Sequence, residues 1–204
     1  MKIRSICPDS FASNCYLIID GQDALAVDPG VSLAALRSVL ADEGASLRGI
    51  LLTHGHFDHI LSLDELRDAY PDAPVYLHEN DAELLSDGEK NAFALFFGED
   101  RVWRPADRLL LGGESLPLGD KQVKVIHTPG HTRGSVCYLC EGHLVTGDTL
   151  FDGGYGRCDL YGGNESALYR SLRSLTQLSP TLRIYPGHGP SAVLGDALGQ
   201  IGLV

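Results

Sequence analysis

The sequence has no long hydrophobic runs. Its longest apolar stretches, such as "CYLII", have the length of a strand, whereas a helix that crosses a bilayer needs about 20 residues. The first residues, "MKIRSICPDSFASNCYLII", show no charged segment followed by a continuous apolar one, so no secretory signal is visible. These absences predict a cytoplasmic protein with no membrane partner.

Clusters of positive charge are also missing. The chain has 16 basic and 27 acidic residues, a net charge of -11, and the basic residues are scattered along it. Proteins that bind nucleic acids need grouped Lys and Arg to replace the counterions of phosphate. The balance therefore predicts a small-molecule substrate rather than DNA or RNA, and it leaves the oligomeric state open.

The cysteines do not form a disulfide framework, because there are five of them and five is an odd number. Cys137 and Cys140 have the C-x-x-C spacing, but they lie in "SVCYLC", which is typical of a strand. Residues three apart on a strand point to opposite faces. We therefore expect these two thiols to be structural and not to share a metal ion.

Length and composition favour one domain over residues 1–204. With 204 residues, 44% hydrophobic and 21% charged, the chain is ordinary for a globular protein with a substantial core. "SLAALRSVLADEG" predicts a helix with Ser32 as its N-cap and Gly44 as its stop. "NESALYRSLRSLTQLSP" predicts an amphipathic helix that Pro180 ends, and "RIYPGHG" a final strand. Strands and helices in both halves predict an α/β architecture of two sheets with helices outside.

Histidines collect at the ends of predicted strands. The stretch "GILLTHGHFDHILSLDEL" places three histidines and an aspartate within six residues, and similar junctions occur in "VKVIHTPGH", "HLVTGD" and "RIYPGH". Imidazole and carboxylate donors that converge from several loops suit Zn, Fe or Mn. One such histidine alone is more often a capped or surface residue, but the whole set predicts a metal site: His54, His56, His59, His131, Asp148 and His188.

These motifs resemble those of the metallo-β-lactamase superfamily. "THGHFDH", "TPGHTRGS", "GDTLF" and "YPGHG" occur in the order that is typical of that family, over most of the chain. The resemblance implies an αββα sandwich with two divalent metal ions, zinc first and Fe or Mn as alternatives. It assigns one metal to His54, His56 and His131, the second to Asp58, His59 and His188, and a bridging role to Asp148.

The resemblance also implies a hydrolytic mechanism. Two cations that share a water lower its pKa toward neutrality, and the hydroxide attacks a polarised carbonyl. Asp58 would handle the proton during turnover. Asp28, in "AVDPG", resembles a family aspartate that orients a metal-binding histidine from outside, although a plain turn residue is the alternative. Histidines 78, 127 and 143 match no ligand position.

Within the superfamily, the chain is similar to the glyoxalase II (hydroxyacylglutathione hydrolase) group of the short bacterial type. The likeness lies in "GDTLFDGGYGRCDLYGGN", where Arg157 occupies the place of a basic residue that binds the glycine carboxylate of glutathione. A solvated arginine is the alternative. The tail after His188 is too short for the helical domain of the longer enzymes. The resemblance therefore implies thioester hydrolysis, for example of S-lactoylglutathione, and leaves the thiol carrier open.

Two other activities fit the same motifs. Persulfide dioxygenases, which use a single iron, have the fold and a run similar to "GRCD", but this chain keeps the complete second metal set. A lactone hydrolase could use the same metal centre.

An aromatic insertion at residues 80–104 carries Phe93, Phe96, Phe97 and Trp103. It could cover the active site, make a subunit contact or form a local core.

Overall fold

The apolar side chains of the strands alternate between two faces, and this alternation builds a layered fold. In the computed structural model, which describes residues 1–8 and 11–204, Leu17 and Ile19 face the outer helices while Tyr16 and Ile18 face the second sheet. The period of two residues is that of a strand buried on both sides. Two mixed sheets therefore stack between two helical layers, which confirms the predicted αββα sandwich.

The first sheet contains six strands in chain order: β1 (Lys2–Ile6), β2 (Cys15–Asp20), β3 (Asp23–Val27), β4 (Ser46–Leu51), β5 (Val75–His78) and β6 (Arg108–Leu110). The second sheet has six more: β7 (Ser115–Leu118), β8 (Lys121–His127), β9 (Val136–Cys140), β10 (His143–Gly147), β11 (Arg183–Pro186) and β12 (Ala192–Val193). The helices are α1 (Leu33–Glu43), α2 (Leu63–Ala69), α3 (Phe93–Phe97), α4 (Glu165–Leu175) and α5 (Leu194–Gln200), with 3₁₀ helices at Phe57–His59 and Glu79–Ser86.

The capping residues of α1 act as the sequence predicts. The Ser32 hydroxyl accepts a hydrogen bond from the Ala35 amide at 3.3 Å, and Gly44 takes the left-handed conformation that ends the helix. Leu36 and Leu40 are buried against the first sheet.

The C-terminal part differs from the prediction in two places. "RIYPGHG" is not the final strand, because β12 pairs with β11 and α5 follows, covering the outer face of the second sheet. Helix α4 ends at Leu175, five residues before Pro180, so the proline is not what terminates it. Leu178 lies beyond the helix but still packs against its core.

The direction of the strands brings their C-terminal ends to one edge of the sandwich. Strands β3 and β4 run parallel in the first sheet, and β10 and β11 run parallel in the second. Strand β8 runs in the direction of β10, because both are antiparallel to β9. Loops that leave these five strands can therefore meet above one edge.

Cys137 and Cys140 pack in different cores, as expected for residues three apart on a strand. Cys137 contacts the layer of α4, whereas Cys140 lies between the sheets. All five cysteines are free thiols. Among the described residues, no helix is long and apolar enough to cross a membrane.

Candidate metal site

Loops from five strands converge at one edge of the sandwich and bring together all seven residues that the sequence predicts as metal ligands. The loop after β3 carries Asp28, which lies beside them. The seven residues follow β4, β8, β10 and β11, and they are His54, His56, Asp58, His59, His131, Asp148 and His188. Their donor atoms fall into overlapping groups that could each hold a metal ion.

The first cluster consists of His54, His56 and His131, and all three are almost fully buried. The His131 Nε2 atom lies 2.9 Å from His56 Nδ1 and 3.2 Å from His54 Nε2. Three ring nitrogens therefore point at a common centre, an arrangement typical of a metal held by imidazoles.

The second cluster consists of Asp58, His59 and His188, and it is more open. The Nε2 atom of His188 lies 3.1 Å from Asp58 Oδ2, and that of His59 lies 3.8 Å from the same oxygen. The His59 ring is buried, whereas the side chain of His188 is 39% exposed. The second cluster therefore borders the solvent.

Asp148 lies between the clusters, and its carboxylate oxygens lie near histidines of both. Its Oδ1 is 3.3 Å from His59 Nε2, and its Oδ2 is 3.5 Å from His131 Nε2 and 3.7 Å from His188 Nε2. This is the placement that a bridging carboxylate requires.

Hydrogen bonds fix the orientation of two imidazoles, each with its Nε2 atom toward the centre. His131 Nδ1 donates to the Arg157 carbonyl at 2.8 Å, and His59 Nδ1 lies 2.9 Å from Asp28 Oδ2. A carbonyl only accepts, so the inner Nε2 of His131 carries the lone pair. Among the described residues, His59 Nε2 and Asp148 Oδ1 are buried without a hydrogen-bond partner. A bound cation would satisfy both atoms, so the site fits divalent metal ions.

The charge states of the site suit cation binding. Burial lowers the pKa of His54 well below its usual range and that of His56 to about 3, so both rings stay neutral donors. Burial raises the pKa of Asp148, but His59 and the other histidines around it outweigh burial and hold that pKa below its usual range. The carboxylate of Asp148 is therefore ionised.

His59 behaves differently from the other buried rings. Burial lowers its pKa, but the carboxylates of Asp58, Asp148 and Asp28 outweigh burial and raise that pKa well above the usual range. Without a cation, a proton on His59 balances this excess of negative charge, and a divalent ion would take its place.

Asp28 orients two of the histidines from outside the clusters. Its carboxylate accepts from the Thr53 amide at 2.7 Å, from the Thr53 hydroxyl at 2.6 Å and from His59. The Thr53 hydroxyl in turn lies 3.1 Å from His54 Nδ1. Asp28 is one of two non-glycine residues with positive φ in the described chain, which shows a constrained turn as well. Asp28 in "AVDPG" therefore lies in a constrained turn and also contacts His59 from outside the clusters.

Asp81 holds together the loops of the first cluster, a role that no motif in the sequence indicates. This buried carboxylate accepts from the Gly134 amide at 2.7 Å, the Thr132 hydroxyl at 2.7 Å and the Gly55 amide at 3.1 Å. It thus ties the loop of His54 and His56 to the loop of His131. Burial raises the pKa of Asp81, and these hydrogen bonds act against that rise. The signal in the sequence is the acidic residue just after β5, again at a strand end.

Gly187 lets the loop of His188 approach the bridging carboxylate. A Cβ atom at this position would lie 2.2 Å from Asp148 Oδ1 and 2.6 Å from Cε1 of His59. The glycine in "YPGHG" is therefore required by space.

The side chain of Arg157 lines the cavity above the site but is already paired. Its guanidinium donates to both carboxylate oxygens of Asp159, at 2.6 and 2.7 Å, and is half exposed. Its backbone carbonyl, which the sequence analysis did not consider, is the acceptor for His131.

The aromatic insertion divides between two roles. Phe93 and Trp103 are buried in the core beneath the first sheet's outer layer, whereas Phe96 and Phe97 are exposed and line the cavity. That cavity has a volume of about 640 Å³, and its wall also includes Asp58, Asp148 and His188.

The three remaining histidines lie outside both clusters. The rings of His78 and His127 stack at a centroid distance of 4.0 Å, and His143 Nδ1 lies 3.1 Å from the Tyr185 hydroxyl.

Comparison with known proteins gives one family and several solved neighbours. A family model described as "Metallo-beta-lactamase superfamily" matches residues 8–188. "Probable metallo-hydrolase YqgX" of Bacillus subtilis (strain 168) is 37% identical over 193 residues, which are 93% of this chain and 91% of that protein.

Two solved structures resemble the whole fold. BLEG-1 B3 metallo-beta-lactamase superposes with a TM-score of 0.91 at 35% identity, over 97% of both chains. TTHA1623, solved in a di-iron-bound form, superposes with a TM-score of 0.82 at 34% identity, over 96% of both chains.

Proposed function

The chain belongs to the metallo-beta-lactamase superfamily, and from this premise we propose that it is a two-metal hydrolase of thioesters. The position of Asp148 is the single observation that supports the binding of two metal ions. Its Oδ1 lies near His59 of the second cluster, and its Oδ2 lies near both His131 of the first cluster and His188 of the second, so one carboxylate can reach both clusters.

The first cluster would hold one divalent cation and the second cluster another, with Asp148 between them. Zinc is our first choice because it accepts imidazole and carboxylate together, and the same donors accept Fe or Mn. A metal pair supplies a nucleophilic hydroxide at neutral pH and polarises a carbonyl oxygen.

Residues of the chain would position the substrate and move the proton. Asp58 borders the cavity, and its pKa lies below the usual range because His59 and His188 outweigh the effect of burial. As an ionised carboxylate it can accept a proton from the attacking water and return it to the departing sulfur. A carbon–oxygen bond forms, the carbon–sulfur bond breaks, and the products are a carboxylate and a thiol.

The choice of a thioester rests on the resemblance to the glyoxalase II group and on Arg157. The arginine lies at the cavity where a substrate carboxylate could reach it, provided that Asp159 shares its guanidinium. S-lactoylglutathione is therefore the first thioester to test.

The test is steady-state hydrolysis of S-lactoylglutathione by metal-replete protein, with the metal content measured on the same sample. A kcat/KM above about 10⁴ M⁻¹s⁻¹ supports the proposal, because it falls within the range of evolved enzymes. Negligible hydrolysis of this and simpler thioesters, with two metal ions bound per chain, would refute thioester hydrolysis.

A mononuclear-iron persulfide dioxygenase and a lactone hydrolase are the competing activities. The second cluster favours a hydrolase over the dioxygenase, because Asp58, His59 and His188 together provide a complete second ligand set. Oxygen uptake with a persulfide substrate, by protein that retains a single iron, would decide for the dioxygenase. Hydrolysis of lactones but not thioesters would decide for the lactonase.

A further inference from the structure

Four phenylalanines form one wall of the cavity that contains the second cluster. We call Phe11, Phe57, Phe96 and Phe97 the aromatic wall. The ring centroid of Phe57 lies 5.4 Å from that of Phe96 and 5.6 Å from that of Phe97, and Phe11 lies 5.6 Å from Phe97. The rings therefore form a continuous apolar surface.

The aromatic wall is held from behind but open in front. Phe93 is buried and packs on Phe57 and Phe97, with centroid distances of 5.7 and 4.6 Å. In front, Phe11, Phe96 and Phe97 are 59, 56 and 46% exposed. Large exposed apolar surface on a supported scaffold is typical of a binding site.

Hydrogen bonds connect the aromatic wall to the metal-binding loop. The Phe57 amide donates to the Asn91 carbonyl at 3.1 Å, and the buried Asn91 side chain accepts from the Phe93 amide at 2.9 Å. Phe57 itself lies between His56 and Asp58 in the chain. A group that packs on this wall is therefore next to the place where a scissile bond would lie.

The cavity offers little positive charge to a substrate. Among the described residues that line it, Arg157 is the only lysine or arginine, and Asp159 already occupies its guanidinium. Glutathione carries two carboxylates, and the lactoyl group is small and polar. Such a substrate has no large apolar group that could pack on the aromatic wall.

We propose that the physiological substrate carries an apolar group, of aryl or medium-chain alkyl size, that packs on the aromatic wall during hydrolysis. This inference rests on the proposed function for its chemistry. The occupant is the substrate rather than a second copy of the chain, because the wall faces the cavity that contains Asp58, Asp148 and His188.

The test compares thioesters of one thiol, N-acetylcysteamine, that carry acetyl, hexanoyl or phenylacetyl groups. Each added methylene is expected to raise kcat/KM by up to about fourfold, as apolar burial predicts. A second series keeps the acetyl group and varies the thiol, from N-acetylcysteamine to phenylmethanethiol. The series with the steeper dependence identifies which side of the substrate contacts the wall.

The double variant Phe96→Ala/Phe97→Ala should lose most of this preference for apolar groups and keep its metal ions. Leu111→Ala is the matched control, because Leu111 is an exposed apolar residue that does not line this cavity. It should retain the wild-type preference. Equal kcat/KM for all members of both series in the wild-type protein would overturn the inference.

A binding measurement separates this inference from the proposed function. The fluorescent probe 1-anilinonaphthalene-8-sulfonate should bind the metal-replete wild-type protein at least about fivefold more tightly than the double variant, because the variant lacks two rings of the wall. If no thioester is hydrolysed but this difference is found, the proposed function fails and apolar binding stands. Equal binding, or a dimer that buries Phe96 and Phe97 at the assay concentration, would refute the wall as a substrate site.

Discussion

The two ligand clusters of the metal site differ in burial and in charge. The first cluster is three imidazoles that are almost completely buried, and burial keeps the pKa values of His54 and His56 low. The second cluster adds the carboxylate of Asp58, and His188 is partly exposed to the cavity. A closed neutral cluster favours retention of its metal, whereas an open one leaves room for a substrate. The two positions are therefore suited to different tasks.

The largest effect is expected from a substitution that weakens metal binding at both clusters. Asp148→Asn should lower the metal content of both clusters and reduce turnover to below about 1% of wild type, because a neutral amide cannot replace the bridging carboxylate. Metal analysis after desalting and the thioester assay measure the two effects. Asp152→Asn is the control, since Asp152 is an exposed acid on the same loop. Unchanged metal content in Asp148→Asn would contradict the site assignment.

The next prediction concerns metal binding at the second cluster alone. His188→Ala removes a ligand of the second cluster alone, so the protein should retain one metal equivalent per chain and lose most of its turnover. His143→Ala, which changes a histidine outside both clusters, should retain two equivalents. Loss of both metals from His188→Ala would show that the clusters do not bind independently.

A smaller effect is expected from the carboxylate behind the clusters. Asp28→Asn keeps a residue that tolerates positive φ, but its amide nitrogen cannot accept from Thr53 or His59. Metal affinity should fall by roughly 10- to 100-fold, as for other partners of metal-binding histidines. Competition with a fluorescent chelator measures this affinity. Asp23→Asn, which changes a half-buried partner of Arg48 away from the site, should bind metal like the wild type.

The smallest expected effect is a difference between the two clusters in the rate of metal release from the wild-type protein. With excess EDTA, metal release from the wild-type protein should occur in two phases of equal amplitude, because His188 of the second cluster is 39% exposed whereas all three histidines of the first cluster are almost fully buried. Addition of one metal equivalent should then restore only the slow phase. A single phase would mean that exposure of His188 does not control exchange.

The metal-binding loops could be predicted because their pattern is local. Five of the seven predicted ligands stand beside Gly or Thr, and all seven lie in loops that follow apolar strands, so the sequence alone indicates a junction and a donor. Strand and helix patterns in both halves of the chain likewise predict two sheets with helices outside, and the caps of α1 predict its ends.

Other features depend on contacts between distant parts of the chain and have no such pattern. Asp81 is one of three acids in a 3₁₀ helix, and its role is visible only through its contacts with Gly55, Thr132 and Gly134. The pairing of Arg157 with Asp159 could not be read from a loop of unknown conformation. The glycine-rich tail also gave no clear helical pattern, although α5 is stabilised there by packing on the second sheet.

The hydrogen bonds of Asp81 set a limit on how this protein could be re-engineered. The insertion that carries Phe96 and Phe97 of the aromatic wall also supplies the carboxylate that joins the two loops of the first cluster. A designer who replaces residues 80–104 with the corresponding segment of another enzyme would exchange a specificity surface and a structural support together. Grafts that begin after Asp81 should preserve metal binding, whereas grafts that include it must bring an equivalent acid. Specificity and metal binding are thus inherited as one module in this chain.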